Sequence, residues 1–176
     1  MKTVNITLPD GSSAAHPAGK TVRDVIASWR NDALAHALAA RVNKNAVDLD
    51  YPLDEDAEIE IIGSDTKEGL DVLRHSTSHV MAQAVQEIFP GAQVAIGPSI
   101  EDGFYYDFEY DQTFTTADLE KIETRMSEIV SRNDPFARRE VPREEAVSLF
   151  QEKGESYKVN LINDLPEDVR MVSLYS

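Results

Sequence analysis

Two histidines, His75 and His79, stand four residues apart in a stretch with the apolar spacing of a helix. A four-residue spacing places both imidazoles on one helical face, about one turn apart. Imidazole is a common neutral metal ligand and titrates near neutral pH, so the pair could hold a metal or transfer a proton. Two helix-surface histidines without any role would show the same spacing, and the pair alone does not decide between these alternatives.

A zinc site needs more than this pair of side chains. The H-E-x-x-H pattern of metalloproteases is absent, because Ser76 stands where the catalytic glutamate would be. A third protein ligand is also required, and the chain contains no cysteine. The residues alone therefore leave open whether His75 and His79 bind a metal.

The residues between the histidines favour a pocket. Ser76, Thr77 and Ser78 are three poor helix formers in a row. Their small side chains leave room beside the imidazoles, and their hydroxyls supply hydrogen bonds. We interpret this part of the predicted helix as the floor of a binding site.

Three further residues could have a functional role. Gly97 stands inside a predicted strand, where glycine often marks the close approach of a ligand or a backbone. Tyr106 belongs to the aromatic run "GFYYDF", for which a well-packed strand without a binding role is the more common explanation. Lys158 lies in "GESYKVNL", which alternates like a strand, and an exposed lysine without any role is the commonest alternative. The glycines form no phosphate-binding loop of a known pattern.

Composition limits the class of protein. The 176 residues carry a formal net charge of −15, and such an acidic surface repels a phosphate backbone. This charge argues against a free-standing, nonspecific nucleic-acid binder. It is compatible with a module that contacts only the end of an RNA that another, basic domain holds. The sequence shows neither a signal peptide nor a membrane-spanning segment, so we expect a cytoplasmic location.

The pattern of elements predicts an α+β chain with two domains. Residues 1–63 give a hairpin, a helix that begins after Thr21, and further strands, which is the order of a β-grasp domain. The polar stretch "GSDTKEG" marks the boundary, so the second domain covers 64–176. In it we predict the following elements: a helix over 67–89, two strands around the "SIEDG" turn, a helix with Thr116 as its N-cap, a strand at "FARREVP", a helix that Gly154 closes, a strand at "SYKVNLI", and a last strand at the end of the chain.

The motifs resemble a known family. "VNITLPDGS", "TVRDV" and "EIEII" are similar to a TGS domain, a β-grasp module. "LRHSTSHVMAQAV", "AIGPSIEDGFYYDF" and "GESYKVNLI" resemble the editing domain that follows the TGS domain in bacterial threonyl-tRNA synthetases. The resemblance covers essentially the whole chain, in order and without large gaps.

The resemblance implies an activity and roles for these residues. It implies hydrolysis of mischarged Ser-tRNA(Thr) at the acceptor end, with His75 and His79 at the scissile ester and Lys158 beside the reacting carbonyl or water. Tyr106 and Gly97 would line the pocket for the aminoacyl-adenosine. The alternative is a non-catalytic module that contains a TGS domain and binds RNA or a protein.

The resemblance also implies parts that lie outside these 176 residues. The family's editing site uses a downstream Cys-x-x-x-His segment, so we expect the second domain to be truncated at its C-terminus and inactive by itself. The resemblance implies that the two histidines need no zinc for editing, so we assign them no metal, and no cofactor is expected within this chain. ATP, Mg²⁺ and Zn²⁺ would belong to an aminoacylation domain elsewhere, and the parent enzyme would be a homodimer through another domain.

Overall fold

The computed structural model describes residues 2–95, 97, 99–134 and 137–175. The chain divides into two compact units, Met1–Arg74 and His75–Ser176, and each has its own hydrophobic core. The elements combine helices and strands in both units, so the predicted α+β class is confirmed. No helix in the described part of the chain is long and apolar enough to cross a membrane.

The first unit contains the elements β1 (Thr3–Thr7), β2 (Ser13–Pro17), β3 (Lys20–Thr21), α1 (Val22–Trp29), α2 (Asn31–Leu34), β4 (Ala37–Val42), β5 (Asn45–Val47), β6 (Pro52–Leu53) and β7 (Ala57–Gly63). Five of the strands form one sheet in the order β2-β1-β7-β4-β5. Strand β1 pairs antiparallel with β2 and parallel with β7, which is the arrangement expected of a β-grasp.

Local sequence chemistry accounts for this unit. In β1, Val4 and Ile6 alternate into the core and are fully buried. The predicted N-cap of α1 is confirmed, since the Thr21 side chain accepts a hydrogen bond from the backbone N–H of Asp24. The β4–β5 turn places Asn43 and Lys44 at φ 48° and 74°, the left-handed values that a tight two-residue hairpin requires.

The first turns of helix α3 (Lys67–Ile88) belong to the first compact unit. The Thr66 hydroxyl donates to the carbonyl of Gly63 at 2.8 Å and accepts from the N–H of Gly69 at 3.0 Å. This bond pattern connects the end of β7 with the start of α3. The domain boundary after residue 63 stays a prediction.

The second unit mixes helices with short antiparallel strand pairs. Besides the remainder of α3, it contains β8 (Gln93–Val94), β9 (Ser99–Ile100), β10 (Gly103–Phe104), β11 (Phe108–Glu109), α4 (Thr116–Arg132), β12 (Arg138–Pro142), α5 (Arg143–Glu152), α6 (Ser156–Asn163) and β13 (Met171–Tyr175). Its core has two clusters, one of α3 with α4 and one that includes α5, α6 and β12.

The hairpin predicted around "SIEDG" is present in interrupted form. Strand β9 pairs with β10, and β8 pairs with β11, both antiparallel. Ile96 and Pro98, which the prediction included, lie outside the described residues. The predicted strands at 136–142 and at the end of the chain are found as β12 and β13, which pair antiparallel; Phe136 is also outside the described residues.

The strand predicted at "SYKVNLI" is wrong, because these residues form helix α6. The less exposed residues in and around α6 are Glu155, Lys158, Val159 and Ile162, at spacings of three and four that belong to a helix. The apolar side chains that suggested alternation include Tyr157 and Leu161, and these are exposed.

Thr116 was predicted as the N-cap of α4, and this is also wrong by one residue. Thr115 is the N-cap, and it forms a capping box in which its side chain and backbone N–H both bond with Asp118. Hydrogen bonds from Lys121 and from Thr115 lower the pKa of the Asp118 carboxyl to about 2. Asp118 therefore favours the fold above its ordinary pKa of 3.8, and this contribution is lost as the pH falls toward 2.

We expect Thr115→Ala to lower the free energy of unfolding by about 1 kcal/mol, because it removes the acceptor for an N-terminal N–H of α4. Thr116→Ala is the matched control, since it deletes the same hydroxyl one residue later and spares the cap. Urea unfolding followed by far-UV circular dichroism measures both. Equal destabilisation by the two variants would show that the cap contributes nothing specific.

Candidate active site

The histidine pair lies on α3 as its spacing predicted. The Nε2 atoms of His75 and His79 are 3.1 Å apart. The two rings meet edge to face, with 4.6 Å between their centroids. The two imidazoles therefore touch each other on a solvent-accessible face, where they can reach a common group.

The three hydroxyl residues between the histidines differ in exposure. Ser78 is almost fully buried, and its hydroxyl donates to the backbone carbonyl of His75 at 2.7 Å. Ser76 is half-buried and Thr77 is exposed. Ser78 thus supports the helix turn that carries the histidines, and the hypothesis that all three residues form a pocket floor stays a prediction.

Lys158 lies on helix α6, and its charge acts on one member of the histidine pair. Its charge is one of the causes that lower the pKa of His79, after burial and the influence of His75. The Lys158 ammonium also lies 3.5 Å from Glu155 Oε1 and 5.2 Å from the centre of the Phe150 ring. The side chain is about one-third exposed, so this lysine is not a freely solvated surface residue.

The environment of His79 favours its neutral form. Partial burial is the largest cause, and the positive charges of His75 and Lys158 add to it, so the pKa lies below the ordinary value of 6.5. A neutral imidazole can accept a proton, which a general base must do. Because the folded-state pKa is lowered, the stability contributed by His79 is present above pH 6.5 and is lost as the pH falls below it.

We expect an NMR titration of the 176-residue chain to give His79 a pKa below 6.5. Lys158→Met should raise that pKa, because the variant deletes one of the positive charges that disfavour the imidazolium. Lys153→Met, at an exposed lysine after α5, is the control and should leave the His79 pKa in place. An unchanged value in Lys158→Met would mean that Lys158 lies too far away to act on His79.

Tyr106 and Gly97 come together as a second pair. A Cβ atom added at Gly97 would lie 2.6 Å from Tyr106 Cγ, so no larger residue fits under the tyrosine ring. The ring also stacks on Phe108 at a centroid distance of 5.3 Å. The close approach predicted for Gly97 is therefore occupied by a side chain of the same unit, and binding of substrate by Tyr106 and Gly97 stays a prediction.

Glu155 connects the two pairs, and the sequence analysis did not identify it. Its carboxylate faces Lys158, and its charge contributes, after burial, to raising the pKa of the Tyr106 hydroxyl. Gln86 of α3, which was also missed, donates to Glu155 Oε1 at 2.8 Å. The one signal in the sequence was an acidic residue three positions before Lys158, and it gave no indication of contact with α3.

A metal at the histidine pair would need further protein ligands. Within the part of the chain that the structure describes, no group of three or more His, Cys, Asp and Glu side chains could hold a metal ion. The histidine pair instead has a cation, Lys158, near it. A positive charge beside the imidazoles disfavours a second cation at the same place.

Comparison with known proteins identifies the class of module in the first unit. Residues 4–63 match the family described as the TGS domain. This match agrees with the observed β-grasp sheet, and it confirms the resemblance drawn from the motifs. The first unit is thus similar to a TGS domain, and a unit of mixed helices and strands follows it.

The particular relatives are threonine–tRNA ligases of bacteria. The chain is 49% identical over 172 residues to that of Desulforamulus reducens, which covers 98% of this chain and 27% of the relative. It is 48% identical over 176 residues to that of Citrifermentans bemidjiense, covering 100% and 27%. It is 48% identical over 161 residues to that of Marinobacter nauticus, covering 92% and 25%.

These matches lie in the N-terminal regions of the ligases. The chain spans about a quarter of the length of the curated relatives it matches. The similarity runs through both units, including the segments that carry the histidine pair, Tyr106 and Lys158.

Proposed function

We propose that this chain is the N-terminal region of a threonine–tRNA ligase and that its second unit hydrolyses mischarged Ser-tRNA(Thr). The observation that carries the proposal is the contact of His75 with His79 on one helix, with the charge of Lys158 acting on His79. The similarity to ligases over both units supports it. The partner is then the acceptor end of tRNA(Thr), and the location is the cytoplasm.

The chemistry of threonine selection explains why such a site is useful. Serine lacks one methyl group of threonine, and a methyl contact contributes only ~1–3 kcal/mol of discrimination. A second site that hydrolyses the wrong product can add to this selectivity. A pocket small enough for serine would exclude the extra methyl group of the correct product.

The proposed reaction is the hydrolysis of an ester by water. Water attacks the carbonyl carbon of the seryl ester, its proton passes to a base, and a tetrahedral oxyanion forms. The bond to the ribose oxygen then breaks, the oxygen is protonated, and serine and tRNA(Thr) leave. The histidine pair would orient the water or the ribose hydroxyls, with neutral His79 able to take the proton.

Lys158, Tyr106 and Gly97 have separate roles in this proposal. The Lys158 ammonium would stabilise the oxyanion or hold the water, since a fixed charge acts strongly in a partly dry site. Tyr106, seated on Gly97, would line the pocket for the aminoacyl-adenosine. We propose no metal or cofactor for this step; ATP, Mg²⁺ and Zn²⁺ would serve the aminoacylation domain, and dimer formation would involve another domain.

A deacylation assay tests the proposal. A ligase that carries this chain as its N-terminal region should release serine from Ser-tRNA(Thr) and leave Thr-tRNA(Thr) largely intact. His75→Ala with His79→Ala should abolish the release of serine and preserve charging with threonine. Release of serine at the unchanged rate by the double variant would refute the assignment of the site.

The alternative function is a non-catalytic module that binds RNA or a protein. Its net charge of −15 works against tight RNA binding, because phosphate contacts with basic side chains dominate such affinity. We therefore expect the 176-residue chain to bind tRNA weakly at physiological salt. Filter binding measures the affinity. Nanomolar binding would favour the binding module and contradict our expectation.

A further inference from the structure

One face of helix α3 carries the histidine pair and, further along, a link to helix α6. His79, Ala82 and Gln86 follow at spacings of three and four residues, so they share a face. Ala82, which lies between His79 and Gln86 on this face, is buried. Along α6, Glu155 and Lys158 stand three residues apart, on one face of that helix. The Gln86 amide donates to Glu155 Oε1 at 2.8 Å, and the charge of Lys158 acts on His79.

Glu155 is held more firmly than a surface carboxylate. Its side chain is only 12% exposed, and Oε1 accepts the bond of 2.8 Å from the Gln86 amide. Its second oxygen, Oε2, is buried and has no hydrogen-bond partner among the described residues. Burying an ionised carboxylate is unfavourable unless a charge compensates for it. The Lys158 ammonium, 3.5 Å from Oε1, supplies that charge.

The Lys158 side chain needs a charged partner if its ammonium is to stay in one position. A lysine carries its charge on a flexible four-carbon chain and loses rotamer freedom when it is fixed. The Phe150 ring, 5.2 Å from the ammonium, offers a weak cation–π contact. That contact leaves the ammonium free to move over the ring. The Glu155 carboxylate gives it a second point of attachment, from a residue that Gln86 anchors to the helix of the histidines.

We propose that Glu155 is a positioning residue: anchored by Gln86 of α3, its carboxylate holds the Lys158 ammonium beside His79. The proposal rests on the hydrolytic function assigned to His75, His79 and Lys158, and deepens it. Glu155 does not touch the substrate in this account. It acts through Lys158, and its removal lowers the rate only when Lys158 is present.

Kinetics on the ligase that carries this chain test the proposal. Glu155→Gln keeps the size of the side chain and an oxygen for Gln86, and it removes the charge that holds Lys158. We expect kcat for hydrolysis of Ser-tRNA(Thr) to fall about 10- to 100-fold with little change in KM, because displacing a reacting group by ~1 Å can cost up to ~100-fold.

The matched control is Glu109→Gln. Glu109 Oε2 accepts a hydrogen bond from the Tyr157 hydroxyl of α6 at 2.8 Å, so it also contacts this helix with a carboxylate. Glu109 is not paired with Lys158, and its variant should leave kcat nearly unchanged. An equal loss in the two variants would show that any carboxylate contact to α6 has the same effect, and it would overturn the proposal.

A double-variant cycle separates positioning from direct contact with the substrate. In a Lys158→Met background, we expect Glu155→Gln to have no further effect on kcat, because the group it positions is gone. Additive losses would mean that Glu155 acts independently of Lys158, which contradicts the proposal. Gln86→Leu supplies a second perturbation. It removes the anchor of Glu155, so it should lower kcat when Lys158 is present. In the Lys158→Met background it should leave kcat unchanged.

NMR on the 176-residue chain distinguishes failure of this inference from failure of the proposed function. Relaxation of the Lys158 side chain should show greater mobility in Glu155→Gln than in wild type or in Glu109→Gln. If the ligase does not hydrolyse Ser-tRNA(Thr) and Glu155→Gln still releases Lys158, the function is wrong and the positioning holds. If Lys158 is equally mobile in all three proteins, the positioning is wrong whatever the activity.

Discussion

Replacement of Lys158 with methionine is expected to slow the hydrolysis of Ser-tRNA(Thr) by about 100- to 1,000-fold, or about 2.7–4 kcal/mol in the activation barrier. Methionine keeps most of the apolar stem and deletes the charge. The effect should be large because the ammonium is only about one-third exposed and its field reaches His79. A solvated lysine would change the stability by less than ~0.5 kcal/mol and leave the rate alone.

The assay compares charging and hydrolysis in the ligase that carries this chain. Threonine charging should stay near the wild-type rate, and Ser-tRNA(Thr) should accumulate. Lys153→Met removes an exposed lysine that precedes Glu155 and Lys158 in the chain. This control should leave both rates unchanged. Clearance of Ser-tRNA(Thr) at the wild-type rate by Lys158→Met would remove the electrostatic element from the proposed mechanism.

The second large effect concerns the stability of the first unit. Gly69 lies in the first turn of α3, and a Cβ atom there would be 2.7 Å from the carbonyl carbon of Gly63. Because that neighbour is backbone, the close contact cannot be relieved by a rotamer change. We expect Gly69→Ala to destabilise the unit by about 2 kcal/mol or more, since overpacking typically costs ~1–3 kcal/mol.

The sign of the stability change in Gly69→Ala tests whether the contact with Gly63 is present. Alanine is favoured over glycine inside a helix by about 1 kcal/mol, so without the contact Gly69→Ala would stabilise the protein. Urea unfolding followed by the fluorescence of Trp29, the single tryptophan of the chain, reports on the first unit. At Gly103 a Cβ atom meets nothing within 4 Å, so Gly103→Ala should leave the midpoint of the Trp29 unfolding transition unchanged. Stabilisation by Gly69→Ala would contradict the expected contact.

The first unit could be predicted because its determinants are local. The alternation of Val4 and Ile6, the cap at Thr21 and the turn at Asn43 and Lys44 each lie within a few residues of the element they specify. Their spacing carries the information directly. The histidine pair was found for the same reason, since a four-residue spacing on one helix fixes the distance between its members.

Helix α6 could not be predicted in this way because its sequence satisfies two patterns. Tyr157, Val159 and Leu161 alternate as in a strand, whereas the less exposed residues follow helical spacing. Distant contacts favour the helix. The hydroxyls of Ser156 and Tyr157 donate to Gln93 and Glu109, respectively, which lie far away in the sequence.

Glu155 was missed for a related reason. Its anchor, Gln86, is separated from it by 69 positions in the chain, and no periodicity connects two residues so far apart. A buried carboxylate is recognisable only when the residues around it are known. The sequence therefore indicated the side chains that we propose for the reaction, and it did not indicate Glu155.

The contact between the imidazoles of His75 and His79 also limits how hydrogen atoms are distributed between them. At 3.1 Å, one Nε2 must carry hydrogen and the other must offer its lone pair when both rings are neutral. The tautomers of the two rings are then correlated, because a ring that offers Nε2 as acceptor must carry its hydrogen on Nδ1. If the donor and acceptor roles of the two Nε2 atoms are exchanged, each ring must move its hydrogen between Nδ1 and Nε2. A group that binds one histidine consequently sets which nitrogen of the other can donate.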